Sequence, residues 1–542
     1  MMCSRLLRHN PSPGRLFSVI ERGFTAFEDG YGRMLRATLR TRHLVLVAAL
    51  GVAGMSAVFF LALKSELAPT EDRGLIQVRG TGPEGATLRY TQRYSAQAGE
   101  ILAKVPEIES LLVINGTPEV SRFRATGRLT DWDQRARSQQ EINAELNPKL
   151  RRIPGARVSA SNPGSFGAKG SSRPVEFVLQ TSGTYEQLQE YVDLMLEQIR
   201  AYPGLDSVET DLQLNMPELR IDIDRAKVAD LGLDITVAGR TLETLLGGRQ
   251  VTRFEQNGEQ YDVMVQLAAE DRASPQTLST IFLRSPRGEM VQLNNIVRVS
   301  EAVAPKELRR FNQLRAVTIS ANLGEGYALG DALAFLEKTA RAVLPETVLT
   351  DVSGQSREYR AAGQSLLLVF LLALGFIYLV LAAQFESFRD PLVILVTVPL
   401  SMTGALGTLW LTGGTLNVFS QIGLVTLVGL ITKHGILIVE FANQLQEKGR
   451  DRLNAVIEAA GLRLRPILMT TGAMVLGALP LAIAHGAGAE SRQQIGWVIV
   501  GGMSFGTLLT LFVIPTVYSF LGQVHRAKEE PLGPSPVPAP AE

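Results

Sequence analysis

The chain has 542 residues, of which 46% are hydrophobic and 20% are charged, and its formal net charge is +1. This mixture is too apolar for an ordinary soluble protein and too charged for a purely membranous one, so it indicates a membrane protein with a large soluble part. The near-neutral charge gives no support for nucleic-acid binding. Cys3 is the only cysteine, which excludes disulfides within the chain.

Residues 1–43 are polar and rich in arginine, and their apolar residues recur at steps of three and four. This pattern predicts an amphipathic helix, either lying on a membrane surface or as a plain cytoplasmic helix. Residues 44–63 carry no charge and predict the first transmembrane helix. The arginines before it place the N-terminus in the cytoplasm. No cleavable signal peptide is evident, because the first apolar run begins only at Leu44.

Residues 64–362 contain no apolar run of membrane length, which predicts a soluble region on the far side of the membrane. A β-α-β rhythm recurs in it, and such units pack as ferredoxin-like, split βαβ subdomains. The alternative is one ordinary α/β domain with alternating segments. The four units are predicted at 74–114, 121–160, 175–211 and 315–352. We therefore predict three parts: 64–216, an inserted subdomain at 217–303, and 304–362, which completes the second ferredoxin-like subdomain.

Five further apolar spans are predicted within residues 363–521, at 365–385, 391–411, 416–441, 467–484 and 495–521. The connection 442–466 is rich in lysine and arginine, which makes it cytoplasmic, and six spans return the C-terminus to the same side. The proline-rich tail 522–542 is predicted to be disordered. The predicted fold class is thus a bundle of six transmembrane helices with a large α+β region of ferredoxin-like subdomains.

Lys433 lies inside the apolar run 416–441, and no Asp, Glu, Lys or Arg occurs between Pro391 and Thr432. A charge at the centre of a bilayer costs about 3 kcal/mol on insertion scales, so such a lysine is expected to face protein or water and to have a partner. The alternative is a lysine that reaches the cytoplasmic interface, about 12 Å away along the helix.

The sequence resembles one half of a resistance-nodulation-division transporter, of the hydrophobe/amphiphile (AcrB-like) efflux branch. The resemblance rests on LAPTEDRG at 67–74, IDID at 221–224, AQFES at 383–387, GLITKHGILIVEF at 429–441 and RLRPILMT at 463–470. These stretches match the C-terminal half of the family's two-half chain, and the match covers most of the sequence. The resemblance implies a multi-pass protein of the bacterial inner membrane, with 1–43 as a linker helix and 217–303 as a docking-like insertion in the periplasmic region.

The resemblance also implies roles for single residues. Lys433 matches a lysine that pairs with two aspartates of the family's N-terminal half, and Arg463 and Thr470 match polar residues of the same proton relay. From the sequence alone, Arg463 could equally be an interfacial arginine, and Thr470 could be bonded to its own helix backbone. Since the predicted spans contain no Asp or Glu except Glu440 at a cytoplasmic end, the titrating carboxylate is expected on another polypeptide, and the energy source is a proton gradient with no cofactor.

The family's multidrug members carry a phenylalanine-rich segment after the second strand of this region. Here that segment reads LVINGTPEVSR at 112–122, with Phe123 the nearest ring. Leu112, Ile114, Thr117 and Phe123 are the corresponding candidates for a substrate path, and a smaller or more polar substrate range is expected. No cluster of His and Cys at ligand spacing indicates metal efflux.

Two function classes remain from the sequence. The first is the C-terminal half of a proton-coupled permease that exports amphiphilic compounds, working as a trimer with an N-terminal half, a periplasmic adaptor (membrane fusion) protein and an outer-membrane channel. The second is a non-transporting fragment or scaffold half. An enzyme is not indicated, since the chain has no GxxxxGK[ST] loop, nucleophile elbow or HExxH motif.

Overall fold

The computed structural model describes residues 15–163, 173–213, 216–272, 274–285, 287–305, 307–324 and 326–523. The predictions for residues 1–14 and for the tail beyond 523 lie outside them. Helix α1 (Arg15–Arg40) precedes helix α2 (Arg42–Ala62), the first apolar helix. Tyr31 and Leu35 of α1 are buried, and the Tyr31 hydroxyl donates to the Leu511 carbonyl at 2.7 Å. Part of the apolar face of α1 therefore packs on protein.

The first soluble unit is a four-stranded antiparallel sheet with two helices on one face. Its elements are β1 (Leu75–Thr81), α3 (Leu88–Ala103), β2 (Ile108–Asn115), β3 (Arg122–Leu129), α4 (Gln139–Leu150) and β4 (Arg157–Ser161). The strands lie in the order β2-β3-β1-β4. Side chains at the helix starts satisfy free backbone N–H groups: Thr87 accepts from Tyr90 N, and Ser138 forms a capping box with Glu141.

The second sheet repeats this plan, with an insertion between its second and third strands. It begins with β5 (Val175–Thr181), α5 (Tyr185–Arg200) and β6 (Leu205–Thr210). After the insertion come β13 (Arg310–Phe311), β14 (Leu314–Leu323), α8 (Leu329–Val343) and β15 (Leu349–Val352). Strand β14 pairs with β5 and β6, and β5 pairs with β15. The four long strands thus lie in the order β6-β14-β5-β15, the same order by rank as in the first sheet.

The insertion has a core of its own. Its first and last strands pair along their full length, Met216 opposite Ala304 and Ile223 opposite Val297. Leu278, Leu293 and Ile296 are among its fully or nearly fully buried residues. The elements are β7 (Met216–Ile223), α6 (Arg225–Asp230), α7 (Ile235–Leu242), β8 (Arg249–Gln256), β9 (Glu259–Val265), β10 (Phe282–Arg284), β11 (Met290–Gln292) and β12 (Val297–Ala304). The paired β7 and β12 join this core to the second sheet.

The remaining helices are α9 (Gly354–Phe385), α10 (Asp390–Leu395), α11 (Thr397–Leu411), α12 (Val418–Glu447), α13 (Arg452–Ala482) and α14 (Ala489–Leu521). Within the described residues six helices are long and apolar enough to cross a membrane, counting α10 and α11 as one. Several extend beyond the predicted spans. Helix α13 begins at Arg452 rather than at residue 467, because the Asp451 carboxylate caps it by accepting from Leu453 N. Most of the predicted cytoplasmic connection is therefore helical.

Helix α14 lies at the centre of the bundle and packs closely on α11 and α13. A Cβ atom at Gly496 would lie 2.3 Å from the backbone nitrogen of Ala482, and one at Gly404 would lie 2.8 Å from the Gly501 carbonyl oxygen. Glycine at these positions lets the helix backbones approach, as is usual between membrane helices. Helix α2 is attached to α11 by a 2.7 Å hydrogen bond from the Thr403 hydroxyl to the Val52 carbonyl.

Asp72 joins the 67–74 segment to the first sheet. Its carboxylate accepts from Gly74 N at 3.0 Å, Gln139 N at 2.9 Å and the Arg135 guanidinium at 2.5 Å, and Trp132 Nε1 lies at 3.2 Å. Burial would raise the pKa of the Asp72 carboxyl, but the bonds from Arg135, Gln139 and Gly74 outweigh it and hold the pKa below its ordinary value. The segment thus has a structural reason for its acidic residue.

We expect Asp72→Asn to destabilise the protein by about 3 kcal/mol or more, because it leaves the buried Arg135 charge unpaired. Because the pKa of Asp72 is lower in the folded protein than in the unfolded chain, Asp72 contributes its full stabilisation above the unfolded pKa of about 4. This stabilisation is lost as the pH falls through the lower folded pKa. Thermal unfolding of the purified protein should show a constant gap between wild type and variant from neutral pH down to about pH 5, and a smaller gap below about pH 4. The exposed Asp133→Asn is the matched control; equal midpoints for Asp72→Asn and Asp133→Asn would contradict this role.

Candidate functional site

Lys433 lies at the middle of α12, a helix of 30 residues. The helix begins at a capping box in which Asn417 accepts from Ser420 N and the Ser420 hydroxyl accepts from Asn417 N. From Lys433 to the end at Glu447 is about 21 Å along the helix, more than the reach of a lysine side chain. The position along the helix therefore favours a lysine near the middle of the bilayer over one at the interface.

The exposed residues of α12 form a single stripe. The exposed residues are Ile422, Thr426, Gly429, Lys433, Glu440, Gln444 and Glu447, and their spacing of three, four and seven residues places them on one helix face. The exposed surface of α9 differs, because it presents leucine and phenylalanine, such as Leu372 and Phe376. A stripe with a threonine, a glycine and a lysine does not suit lipid contact, since polar groups cost free energy in hydrocarbon. We call it the Lys433 stripe.

The other two predicted relay residues lie on α13. The Arg463 guanidinium lies 4.5 Å from the centre of the Phe441 ring of α12, and its Nε atom is buried without a hydrogen-bond partner. The Thr470 hydroxyl donates to the Ile467 carbonyl at 3.0 Å, so it is bonded to its own helix. Across the described ranges, no hydrogen bond or ion pair joins Lys433, Arg463 and Thr470 to one another, and Lys433 has no acidic partner.

His434 was not singled out from the sequence, although it follows Lys433 directly. Its side chain is completely buried between three helices. Thr471 Oγ1 of α13 lies 3.2 Å from Nε2, and Thr507 Oγ1 of α14 lies 3.3 Å from Nδ1. Both ring nitrogens are therefore satisfied inside the bundle. The sequence signal that could have identified it is a histidine within an apolar span, because a buried histidine in a membrane helix has a polar partner.

Asp390 is a second buried polar group that the predicted spans left out. The helix begins at Asp390, one residue before the predicted span, and the side chain is fully buried. Asn443 Nδ2 donates to Asp390 Oδ2 at 3.0 Å, the Tyr518 hydroxyl donates to Asn443 Oδ1, and Gln446 Nε2 donates to the Tyr518 hydroxyl at 2.6 Å. This network holds α10, α12 and α14 together at one end of the bundle.

The four substrate-path candidates do not lie on the same face of the first sheet. Leu112 and Ile114 of β2 are exposed, and Thr117 in the following loop is also exposed. Phe123 is 3% exposed, with its ring against Gly80 in the layer between sheet and helices. Because neighbouring strand residues point to opposite faces, Phe123 lies on the helix-covered side, away from Leu112 and Ile114.

Comparison with known proteins identifies the family to which this chain is similar. The model of the AcrB/AcrD/AcrF family matches residues 1–522. An uncharacterized transporter of Haemophilus influenzae is 37% identical over 533 residues, and the multidrug/solvent efflux pump membrane transporter MepB of Pseudomonas putida is 31% identical over 545 residues. Each alignment covers 97% of this chain and 52% of the relative. The chain spans about half the length of these curated relatives.

The chain belongs to the AcrB/AcrD/AcrF family. This is a family of resistance-nodulation-division efflux transporters, and the chain is a multi-pass protein of the bacterial inner membrane. The apolar helices form its membrane part and the β-rich region forms its large periplasmic part. Neither the match nor the structure tests the roles of Lys433, Arg463 and Thr470, which stay predictions.

We expect His434→Ala to lower the unfolding midpoint of the protein, because it opens a cavity and removes the hydrogen bonds of the ring to Thr471 and Thr507. The cost should be about 2 kcal/mol or more. Thermal unfolding in a mild uncharged detergent measures it. Lys433→Ala is the neighbouring control: an exposed side chain at that position predicts a change within about 0.5 kcal/mol. A His434→Ala midpoint equal to that of the wild type would show that the three-helix contact does not support the bundle.

Proposed function

We propose that this chain is the C-terminal half of a proton-coupled efflux permease that exports amphiphilic compounds across the Gram-negative envelope. The observation that carries the proposal is the Lys433 stripe: a cation in the middle of a membrane helix, on a surface that also carries Thr426 and Gly429, with no acidic partner among the described residues. Such a surface suits another protein segment with carboxylates better than it suits lipid.

Small residues on α13 support the same conclusion. Ala473 and Gly477 are exposed, and they follow the partly exposed Thr470 at helical spacing. Faces of this kind let a neighbouring helix approach closely. With the Lys433 stripe on α12, they give two adjacent helices with surfaces fitted for helix contact. We propose that the family's N-terminal half covers both, and that its carboxylates face Lys433.

Proton coupling is then a consequence of electrostatics in a low-dielectric site. A lysine beside two carboxylates stabilises their charged form, and proton binding to a carboxylate removes that attraction. The arrangement of the helices that suits one protonation state differs from the arrangement that suits the other, so a proton gradient can drive a cycle between them. In this proposal Lys433 pairs with the carboxylates. Arg463, whose guanidinium lies against the Phe441 ring, and Thr470 complete the relay by turning toward Lys433 and the carboxylates.

The finer architecture is part of the proposal. The six apolar helices are six membrane spans, and the two sheets with their repeated strand order are two ferredoxin-like porter subdomains. The insertion with its own core is a docking-like subdomain for neighbouring components. Assembly as a trimer with a periplasmic adaptor and an outer-membrane channel is inferred from the family. Efflux of drugs or solvents is what the name of the Pseudomonas putida relative states of that protein.

The direct test is drug susceptibility in an efflux-deficient Gram-negative host. The chain is expressed alone and together with an N-terminal half of the family, and membrane levels are checked. We expect resistance only with the N-terminal half, and loss of that resistance when the proton gradient is dissipated. Resistance that survives dissipation would contradict proton coupling. No resistance to any compound of a broad amphiphile panel, with both chains in the membrane, would favour the scaffold alternative.

Lys433→Ala should abolish resistance in the active combination while insertion and membrane levels stay normal, because it removes the positive charge that the stripe offers to carboxylates near the bilayer centre. Lys433→Arg is the matched variant; it keeps the charge and should retain partial activity. The readout is the minimal inhibitory concentration with immunodetection of the chain. Unchanged resistance in the Lys433→Ala variant would contradict the assignment of Lys433 to the proton relay.

A further inference from the structure

Among the described residues, the first sheet has one face covered by helices and one open face. Helices α3 and α4 pack on the covered face, where Ile76, Val78 and Phe123 are buried. Side chains of the alternate strand positions point to the other face. On that open face four arginines lie close together on three neighbouring strands: Arg79 of β1, Arg122 and Arg124 of β3, and Arg157 of β4.

The strand register fixes how close these arginines lie. Arg79 is directly opposite Arg124, which places their Cβ atoms about 5 Å apart. Thr81 is opposite both Arg122 on one side and Arg157 on the other, so each of these is diagonal to Arg79, at about 7–8 Å. Like charges directly opposite one another destabilise a sheet. The cluster is therefore a cost to the fold that needs a reason.

Nearby carboxylates do not neutralise the centre of the cluster. Arg122 pairs with Glu119 at 3.3 Å, at its margin. In the described part of the chain, Arg79, Arg124 and Arg157 have no ion pair, and Nε of Arg79 is buried without a hydrogen-bond partner. Burial lowers the pKa of Arg79, and the positive charges of Arg124, Arg173 and Arg122 lower it further. An unbonded, partly buried guanidinium among other cations favours an anion from outside the chain.

An apolar patch borders the cluster on the same face. Ile114 of β2 is directly opposite Arg124, and Leu112 is opposite Thr126. Leu112 is 59% exposed and Ile114 is 42% exposed. The open face thus carries positive charge on its β3, β1 and β4 strands and an aliphatic surface on its β2 strand. A ligand that matches both parts has an anionic head group and an apolar tail.

We infer that the open face of the first sheet binds small anionic amphiphiles, with the head group on Arg79, Arg124 and Arg157 and the apolar tail on Leu112 and Ile114. A sulfonate or carboxylate can accept hydrogen bonds from two guanidinium groups at once, and charge-assisted bonds of this kind are stronger than neutral ones. This inference names a substrate class for the proposed permease. It rests on that proposal only for the export of the bound compound, since binding itself needs no transport.

The test is titration calorimetry on the full chain in phosphatidylcholine nanodiscs, with empty nanodiscs as the blank. Octanesulfonate and octyltrimethylammonium are the probes, because they share the tail and differ in the charge of the head group. We expect octanesulfonate to bind more tightly than octyltrimethylammonium. The double variant Arg79→Gln, Arg124→Gln should weaken octanesulfonate binding about tenfold or more and should not weaken octyltrimethylammonium binding.

Arg128→Gln is the matched control. Arg128 lies on the same strand and face, four residues and about 13 Å from Arg124, and pairs with the exposed Glu109 at 3.5 Å. It should change octanesulfonate affinity less than twofold. The double variant should also unfold at the same temperature as the wild type or a higher one, because it removes opposed like charges. A lower midpoint would mean that the arginines serve folding, and would overturn the inference.

Octanesulfonate binding that is unchanged in the double variant overturns the inference whatever transport shows. Displacement of octanesulfonate by dihexanoyl phosphatidylglycerol at much lower concentration would assign the face to lipid head groups and would also overturn it. Binding that depends on Arg79 and Arg124, with no export of any compound, would instead count against the proposed permease and leave the anionic site standing. The two failures are therefore distinguishable.

Discussion

The membrane part of the protein is constrained by one positive charge, Lys433, near the middle of the bilayer. Lys433 lies halfway along a membrane helix, where an unpaired ammonium is costly, and the stripe around it includes Thr426 and Gly429, whereas α9 exposes leucine and phenylalanine. The helices that pack behind it are joined by close glycine contacts and by buried polar groups such as His434 and Asp390, while the face of α12 that carries Lys433 is exposed. On the proposed account, that open face is the half of a proton site that this chain supplies.

The same physical theme recurs in the periplasmic part. On the open face of the first sheet, Arg79 and Arg124 are placed opposite each other although like charges oppose pairing, and Glu119 pairs with Arg122 at the margin of the cluster. In both regions a local rule is broken: Lys433 is a charge in the membrane without a partner among the described residues, and Arg79 and Arg124 are two cations on opposite strands. Such violations are expected where a protein binds something outside its own chain. Buried ion pairs such as Asp72 with Arg135 show that the fold does satisfy its charges where only structure is involved.

Local signals in the sequence predicted much of the fold. Thr87, Ser138 and Thr184 are N-caps of helices in the structure, and such helix starts are readable from sequence because capping is a contact between near neighbours. Strand positions were predictable for a similar reason. The buried position of Phe123 and the contacts of His434 could not be read in this way, since they depend on which face of one element meets another. On a helix, one residue is a rotation of about 100°, which is why Thr470 is bonded to its own backbone while Thr471 reaches His434.

The central claim is tested most directly by measuring whether the Lys433 stripe is exposed to lipid. A nitroxide at Thr426→Cys, in a Cys3→Ser background, reports collisions with dissolved oxygen in the bilayer and leaves Lys433 in place. We predict a high collision rate for the chain alone and a sharp decrease when an N-terminal half of the family is reconstituted with it, while a nitroxide at the lipid-exposed Leu379→Cys of α9 changes little. Equal collision rates at Thr426 with and without the N-terminal half would contradict the account, because the stripe would then be a lipid surface.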